Sequence, residues 1–232
     1  TTFYFKIYPY TNSSTTINYK INGTVPQTSR ATDSAPIIPN TSKLDDFNRA
    51  NSNTVGSTPT TPTSFTCNEI ETVASTAIQI NSNQLQLGSA TAGRDFAYVD
   101  LSLLPGYPTQ LNLAGATMTW AFNFRNTRPD PSGFDAGNYG IAFILGKTTN
   151  DVTLGDGYAV VIGQSGTSDP IRLARFTAGP DANANFTNII SGNDYGAEYI
   201  SVKVTYNPTG NNWSLYAESN ASSFPQANPA ST

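Results

Sequence analysis

The sequence predicts an all-β protein, an antiparallel β-sandwich preceded by a β-hairpin or partial β domain, and three observations carry this. Charged residues make up only 12% of the 232, while Ser, Thr and Asn keep the chain polar and Gly and Pro interrupt it every few residues. That is the composition of short strands joined by many turns. Twelve Tyr and twelve Phe, with Val and Ile, supply β-favouring apolar material for a sizeable core. No stretch keeps a 3.6-residue apolar period between caps, so no helix longer than a turn or two is expected.

The first strands open the chain. Residues 2–10 and 16–25 read as two strands of a hairpin turning at 12–14. Residues 26–43 hold three prolines with little periodicity and read as an extended linker. The expected organisation is therefore a partial module over 1–25, a linker over 26–43 and a main domain over 44–232. An isolated hairpin is marginal in water, so residues 1–25 are expected to pack on the main domain or to end a domain that begins upstream.

Within the main domain, residues 77–80 and 84–87 alternate apolar and polar side chains around Asn81, Ser82 and Asn83, the pattern of a hairpin with one wet face. The next strand spans 94–101. Residues 116–125 place Met118, Trp120, Phe122 and Phe124 on one face and Thr117, Thr119, Ala121 and Asn123 on the other. Residues 139–145 and 157–162 are nearly continuous apolar runs bounded by glycine, candidates for core strands covered on both sides. Residues 171–176 read as alternating, with Arg172 and Arg175 both outward. Residues 199–206 and 213–216 flank the turn at 207–211 as an antiparallel hairpin.

Composition also excludes. The net charge of -4 and the scatter of twelve Lys and Arg along the chain speak against nucleic acid, whose affinity rests on clustered cations. No apolar run reaches the roughly 20 residues of a membrane-spanning helix. The chain has no histidine and one cysteine, which removes Ser-His and Cys-His nucleophilic machinery, His-based acid–base pairs, the common zinc sets and intrachain disulfides. Cys67 reads as a small buried apolar residue. These exclusions predict a protein that is not an enzyme.

Three segments carry a family resemblance: Leu44 to Ala50; residues 156–163 together with 169–175; and residues 199–206 leading to Trp213 through Tyr216. Over 44–220 the chain resembles the concanavalin A-like lectin/glucanase superfamily, nearest its laminin-G-like bacterial branch. Residues 4–10, 19–20 and 23–26 look like the end of a fibronectin type III-like module in surface proteins exported by the type IX pathway of gliding bacteria. The resemblance implies a jelly roll of two packed sheets with ligand loops at its edges, in a secreted or cell-surface multidomain protein. Fold alone does not transfer function. Glucanases of the superfamily carry Glu, Asp and Glu at alternate inward positions of one strand, and no such run exists here. Glu69 and Glu71 share a face without an Asp partner and read as a solvated edge.

The resemblance also implies a Ca²⁺ near the binding edge, held by side-chain and backbone oxygens, for which Asp135, Asp151, Asp156 and Asp169 are the candidates. Asx turns in their own loops are the alternative for each. The loop over 126–138 offers Arg128 and Phe134 to a sugar as a binding rim, or is a connector. Asn-X-Ser/Thr triplets begin at Asn12, Asn22, Asn40, Asn185, Asn212 and Asn220, but chance explains them in so Asn- and Thr-rich a chain. Ser34, within Asp33-Ser34-Ala35, matches the short O-glycosylation pattern of the exported group.

The function expected is an adhesive or structural module contacting a glycan or surface polymer, with a Ca²⁺-assisted lectin domain as the alternative. Both ends are expected to cut through domains. The sheet edge left open would then be covered by the N-terminal hairpin or by a strand from a neighbouring chain.

Overall fold

The structure is a computed structural model. It describes residues 2–6, 10–13, 16–19 and 27–31 as backbone strands, and residues 44–58, 64–72, 76–88, 91–103, 107, 117–128 and 130–225 in full. Ser34 lies outside the described residues. The chain divides into two compact units, Thr1–Asn40 and Thr41–Thr232. It is all-β and antiparallel throughout, with almost no helix.

In the first unit β1 (Thr2–Lys6) pairs with β4 (Gln27–Ala31), in register from Thr2 opposite Ala31 to Lys6 opposite Gln27. The hairpin is β2 (Tyr10–Ser13) against β3 (Thr16–Tyr19). The opening strand thus takes its partner from the segment read as linker.

The second unit carries β5 (Asn68–Glu71) paired with β8 (Asp95–Tyr98), and the hairpin β6 (Ile78–Asn81) to β7 (Gln84–Leu87). The two-residue turn of that hairpin has Ser82 at φ 54° and Asn83 at φ 60°. Positive φ at both central residues is the type I′ geometry that matches strand twist. Val55, Ile78 and Ile80 form a small core here, with Phe47, Cys67, Leu85 and Ala97 packed on it.

The rest of this unit is two larger sheets. One has three strands in the order β15 (Asn212–Asn220), β14 (Tyr199–Asn207), β9 (Met118–Arg125); the other has four, β10 (Ile141–Lys147), β11 (Gly157–Ile162), β12 (Pro170–Phe176) and β13 (Phe186–Asp194). β9 behaves as its alternation predicts: Met118 and Phe124 are buried, Trp120 and Phe122 half-buried, and Thr119, Ala121 and Asn123 exposed. The apolar faces of both sheets feed one core. It joins Phe124 of β9, Leu145 of β10, Val160 and Ile162 of β11, Ile171 and Leu173 of β12, Ile200, Val202 and Val204 of β14, and Leu215 and Ala217 of β15. Phe122 of β9 stacks on Phe143 of β10 at 4.3 Å between centroids, and β13 runs close beside β15.

β12 corrects the reading of residues 171–176 as a half-exposed alternating strand. Ile171, Leu173, Ala174 and Phe176 are all fully buried, because the outer face of the four-stranded sheet carries a second apolar cluster of Ala159, Val161, Ala174 and Phe176. Arg172 and Arg175, three residues apart, lie on opposite faces, as period two requires. Arg172 is half-buried and donates from Nη2 to the Gly163 carbonyl at 2.8 Å. Arg175 is exposed and pairs with Asp156 at 3.4 Å.

Candidate functional site

Three loops meet at one end of the two large sheets. The first, residues 126–140, joins β9 to β10; the second, 163–169, joins β11 to β12; the third, 195–198, joins β13 to β14. They enclose an open cleft of about 330 Å³ lined by Asp130, Pro131, Thr167, Asp169, Asp194, Tyr195 and Gly196.

The first loop is held from both sides. Gln164 N donates to the Pro131 carbonyl at 3.1 Å, and Gly133 N closes the loop on the Tyr139 carbonyl at 2.9 Å. On the other flank the Asn183 side-chain oxygen accepts from Phe134 N at 2.9 Å. Asp135 in turn accepts from Asn183 N and Nδ2, at 2.9 and 2.8 Å. Gly133, at φ 113°, lies so close to Asn183 that a Cβ would come within 2.3 Å of its amide oxygen, so only glycine fits. Phe134 does not form a free rim. Its ring packs on Phe186 at 4.6 Å and joins the apolar cluster over the four-stranded sheet. Arg128 is exposed, with its guanidinium 3.9 Å from the centre of the Tyr139 ring. Asn126 fixes the backbone there, donating to the Arg128 carbonyl at 2.7 Å and accepting from Arg128 N at 3.1 Å.

Asp169 is the buried carboxyl of the cleft, with 3% of its surface exposed. Its Oδ1 accepts from Gln164 N at 3.2 Å, and its own N–H donates to Asp194 Oδ1 at 3.0 Å. Burial pushes the Asp169 carboxyl above the usual range; the neighbouring Asp130 and Asp194 add to this, and the Gln164 N–H opposes it. Burial likewise lowers the Arg172 guanidinium, against the nearby Asp169 charge. The Tyr139 phenol is raised by burial and drawn back by Arg128.

The four aspartates named from the sequence are dispersed. Asp135 serves Asn183. Asp151 accepts from Thr153 N and Oγ1 at 2.9 and 2.6 Å, which holds its carboxyl below the usual range. Asp156 faces Arg175 and Ala178 N. Three of the four thus tie down loop backbone or neighbouring side chains, and only Asp169 lines the cleft. Its companions Asp130 and Asp194 carry no signal of a site in the sequence, although Asp130 stands in the loop read as a rim. Among the described residues no group of three or more His, Cys, Asp or Glu is placed to hold a metal ion.

Two other features are structural. Glu69 Oε1 accepts from Val55 N, and Glu71 Oε1 accepts from Ile78 N at 2.8 Å, so both carboxylates bond buried backbone and neither is a solvated edge. A second groove, about 450 Å³, runs along Asn51, Ser52, Asn53, Gln79 and Asn81. Its amides bond one another and nearby backbone, as in Asn51 Nδ2 to Asn81 Oδ1 at 3.2 Å and Ser82 N to Asn51 Oδ1 at 3.0 Å. The three-loop cleft is therefore the better candidate: it offers carboxyl oxygens and the Thr167 hydroxyl, and the loop that borders it carries the Arg128–Tyr139 stack, donors and acceptors suited to a ligand rich in hydroxyl groups. No helix among the described residues is long and apolar enough to cross a membrane. The chain matches no protein-family model, no curated protein and no solved structure.

Proposed function

We propose that this chain is a non-catalytic structural and adhesive module of a secreted or cell-surface multidomain protein, and that it touches a glycan or surface polymer through the three-loop cleft. The observation that carries this is the pinning of the 126–140 loop by Gln164 on one side and Asn183 on the other, while Arg128, Asp130 and Thr167 stay exposed. A rim ordered before binding loses little conformational entropy when a ligand arrives. The single apolar core shared by both large sheets supports a jelly-roll β-sandwich as the scaffold behind that rim. The structural use of Glu69 and Glu71 supports a non-hydrolytic role.

A glycan array probed with and without chelator tests the proposal. Retention of a glycan class that is weakened by Arg128→Ala and Thr167→Ala, and is indifferent to chelator, is the expected result. Binding by neither wild type nor variants, or release of reducing sugar from a bound glycan, overturns it.

A further inference from the structure

Three Asn-X-Ser/Thr triplets lie wholly among the described residues: Asn185-Phe186-Thr187, Asn212-Trp213-Ser214 and Asn220-Ala221-Ser222. Their number is what chance supplies in so Asn-rich a chain, but their surroundings differ. A sugar is joined to such a triplet at the Asn side-chain nitrogen, inside the groove of a transferase. The amide must therefore be exposed with its nitrogen free, and the triplet must lift off the fold without dragging the core behind it.

Two of the three are held. The Asn185 side chain is half-buried, and its Nδ2 donates to the Gly179 carbonyl at 2.9 Å and to Asp181 Oδ1 at 2.8 Å. Phe186, at the centre of that triplet, packs on Phe134 at 4.6 Å and on Phe176 at 6.0 Å. Asn212 Nδ2 donates to the Thr209 carbonyl at 3.4 Å. Its central Trp213 is wedged among Tyr206, Tyr158 and Trp120, with ring centroids at 4.4, 4.7 and 6.0 Å. Lifting either triplet pulls a large aromatic ring out of its packing.

Asn220 differs on each count. It is the last residue of β15, paired with Tyr199 at the end of the β14–β15 ladder, and strand ends open most readily. Asn220, Ala221 and Ser222 are all exposed, and the central residue carries a methyl group in place of a ring. Asn220 Oδ1 accepts from Ser222 N at 2.9 Å and from Ser222 Oγ at 3.0 Å, while no described residue accepts from its Nδ2. The chain is tied down again at Phe224, whose ring meets that of Tyr199 edge-on at 5.1 Å.

We propose that Asn220 is a glycan acceptor, joined through its side-chain nitrogen to a sugar from a lipid-linked glycosyl diphosphate. An amide nitrogen is a poor nucleophile because its lone pair is shared with the carbonyl. When Nδ2 loses a proton, negative charge collects on Oδ1, where the Ser222 N–H and hydroxyl both donate, and donors already aimed at developing charge favour such a step. The proton passes to a base of the transferase. The nitrogen forms a C–N bond to C1 of the sugar, the C1–O bond to the diphosphate breaks, and its electron pair stays on the diphosphate oxygen. The inference rests on the reading of the chain as exported, since an exported chain meets the membrane that holds such a donor.

The test is a peptide map by mass of the protein recovered from outside the cells that make it. The peptide holding residue 220 should carry sugar, and an amidase that removes Asn-linked glycans should leave aspartate at that position, while Asn185 and Asn212 stay bare. Asn220→Gln and Ser222→Ala should each lose the sugar, and Ser222→Thr should keep it. Both positions are exposed, so these variants should melt with the wild type; should one fail to fold, the wild-type map decides alone. Exported wild type with a bare Asn220, equal occupancy of Asn212 and Asn220, or undiminished occupancy in Ser222→Ala would each overturn the proposal. A chain found only inside the cells overturns the exported reading and the acceptor site with it, whereas an exported chain bare at Asn220 overturns the site alone.

Discussion

Asp135 accepts two hydrogen bonds from a single residue, the backbone N–H of Asn183 at 2.9 Å and its side-chain amide at 2.8 Å. The same Asn183 accepts from Phe134 N with its oxygen at 2.9 Å. One aspartate thereby orients the amide that holds the middle of the 126–140 loop.

Asp135→Ala is accordingly expected to destabilise the protein by about 1 kcal/mol, the scale of a hydrogen-bonded group near the surface. It should also speed amide hydrogen exchange at Gly133 and Phe134 more than elsewhere. Exchange that is unchanged in that loop would show that Phe134 packing on Phe186 suffices to hold it.

Glu71 gives a second, sharper expectation. Its Oε1 accepts from the N–H of Ile78, a fully buried residue in the small core. Removing the acceptor leaves a buried donor unsatisfied, so Glu71→Ala should cost about 1–3 kcal/mol in denaturant unfolding. Glu71→Gln keeps an oxygen in place and should recover most of the loss. Equal losses in the two variants would mean that the charge matters and the hydrogen bond does not.

Much of the fold is legible in the sequence because strand burial writes itself at period two. Met118 to Phe124 alternate in sequence and in burial, and the turn at Ser82 and Asn83 announces its hairpin. The legible signal fails where both faces are buried, as in β12, since Leu173 and Ala174 are equally hidden and alternation disappears. It fails again where pairing is long-range: nothing local tells Thr2 that its partner is Ala31. The site is harder to read. Phe134 reads as a loop aromatic free to meet a sugar because Phe186, its packing partner, lies far along the chain. Asp194 reads as the polar end of a strand and becomes a cleft residue only when Asp169 N turns toward it.

The Asp169 carboxyl fixes the sign of a pH effect. Its proton is held more tightly in the folded state than in the unfolded one, through burial and the nearby Asp130 and Asp194. A group raised in this way contributes stability that is fully present below the unfolded carboxylate value and is lost as pH rises through the folded value. Wild type should therefore lose part of its melting temperature on passing from acid toward neutral pH, relative to Asp169→Asn, which carries no titrating group there. A wild-type minus variant difference that stays constant across that range would place the proton elsewhere.

Cys67 provides the last expectation. Half-buried beside the small core, its thiol is pushed up to about 11, first by burial and then by the negative charge of Glu69. The thiolate is the reactive species. At about pH 8 a thiol with the ordinary value near 8.5 is roughly one-quarter ionised, whereas one near 11 is ionised to about one part in a thousand. Alkylation by iodoacetamide should thus be at least ~10-fold slower in the folded protein than in urea, where burial and the Glu69 charge no longer act on the sulfur, the smaller thiolate fraction being offset in part by the greater nucleophilicity of a more basic thiolate. Glu69→Gln removes the charge and leaves an oxygen for Val55 N, so it should raise the native labelling rate without unfolding the hairpin core. Native and denatured chains labelled at the same rate would mean that the thiol is open to solvent and that β5 does not shield it.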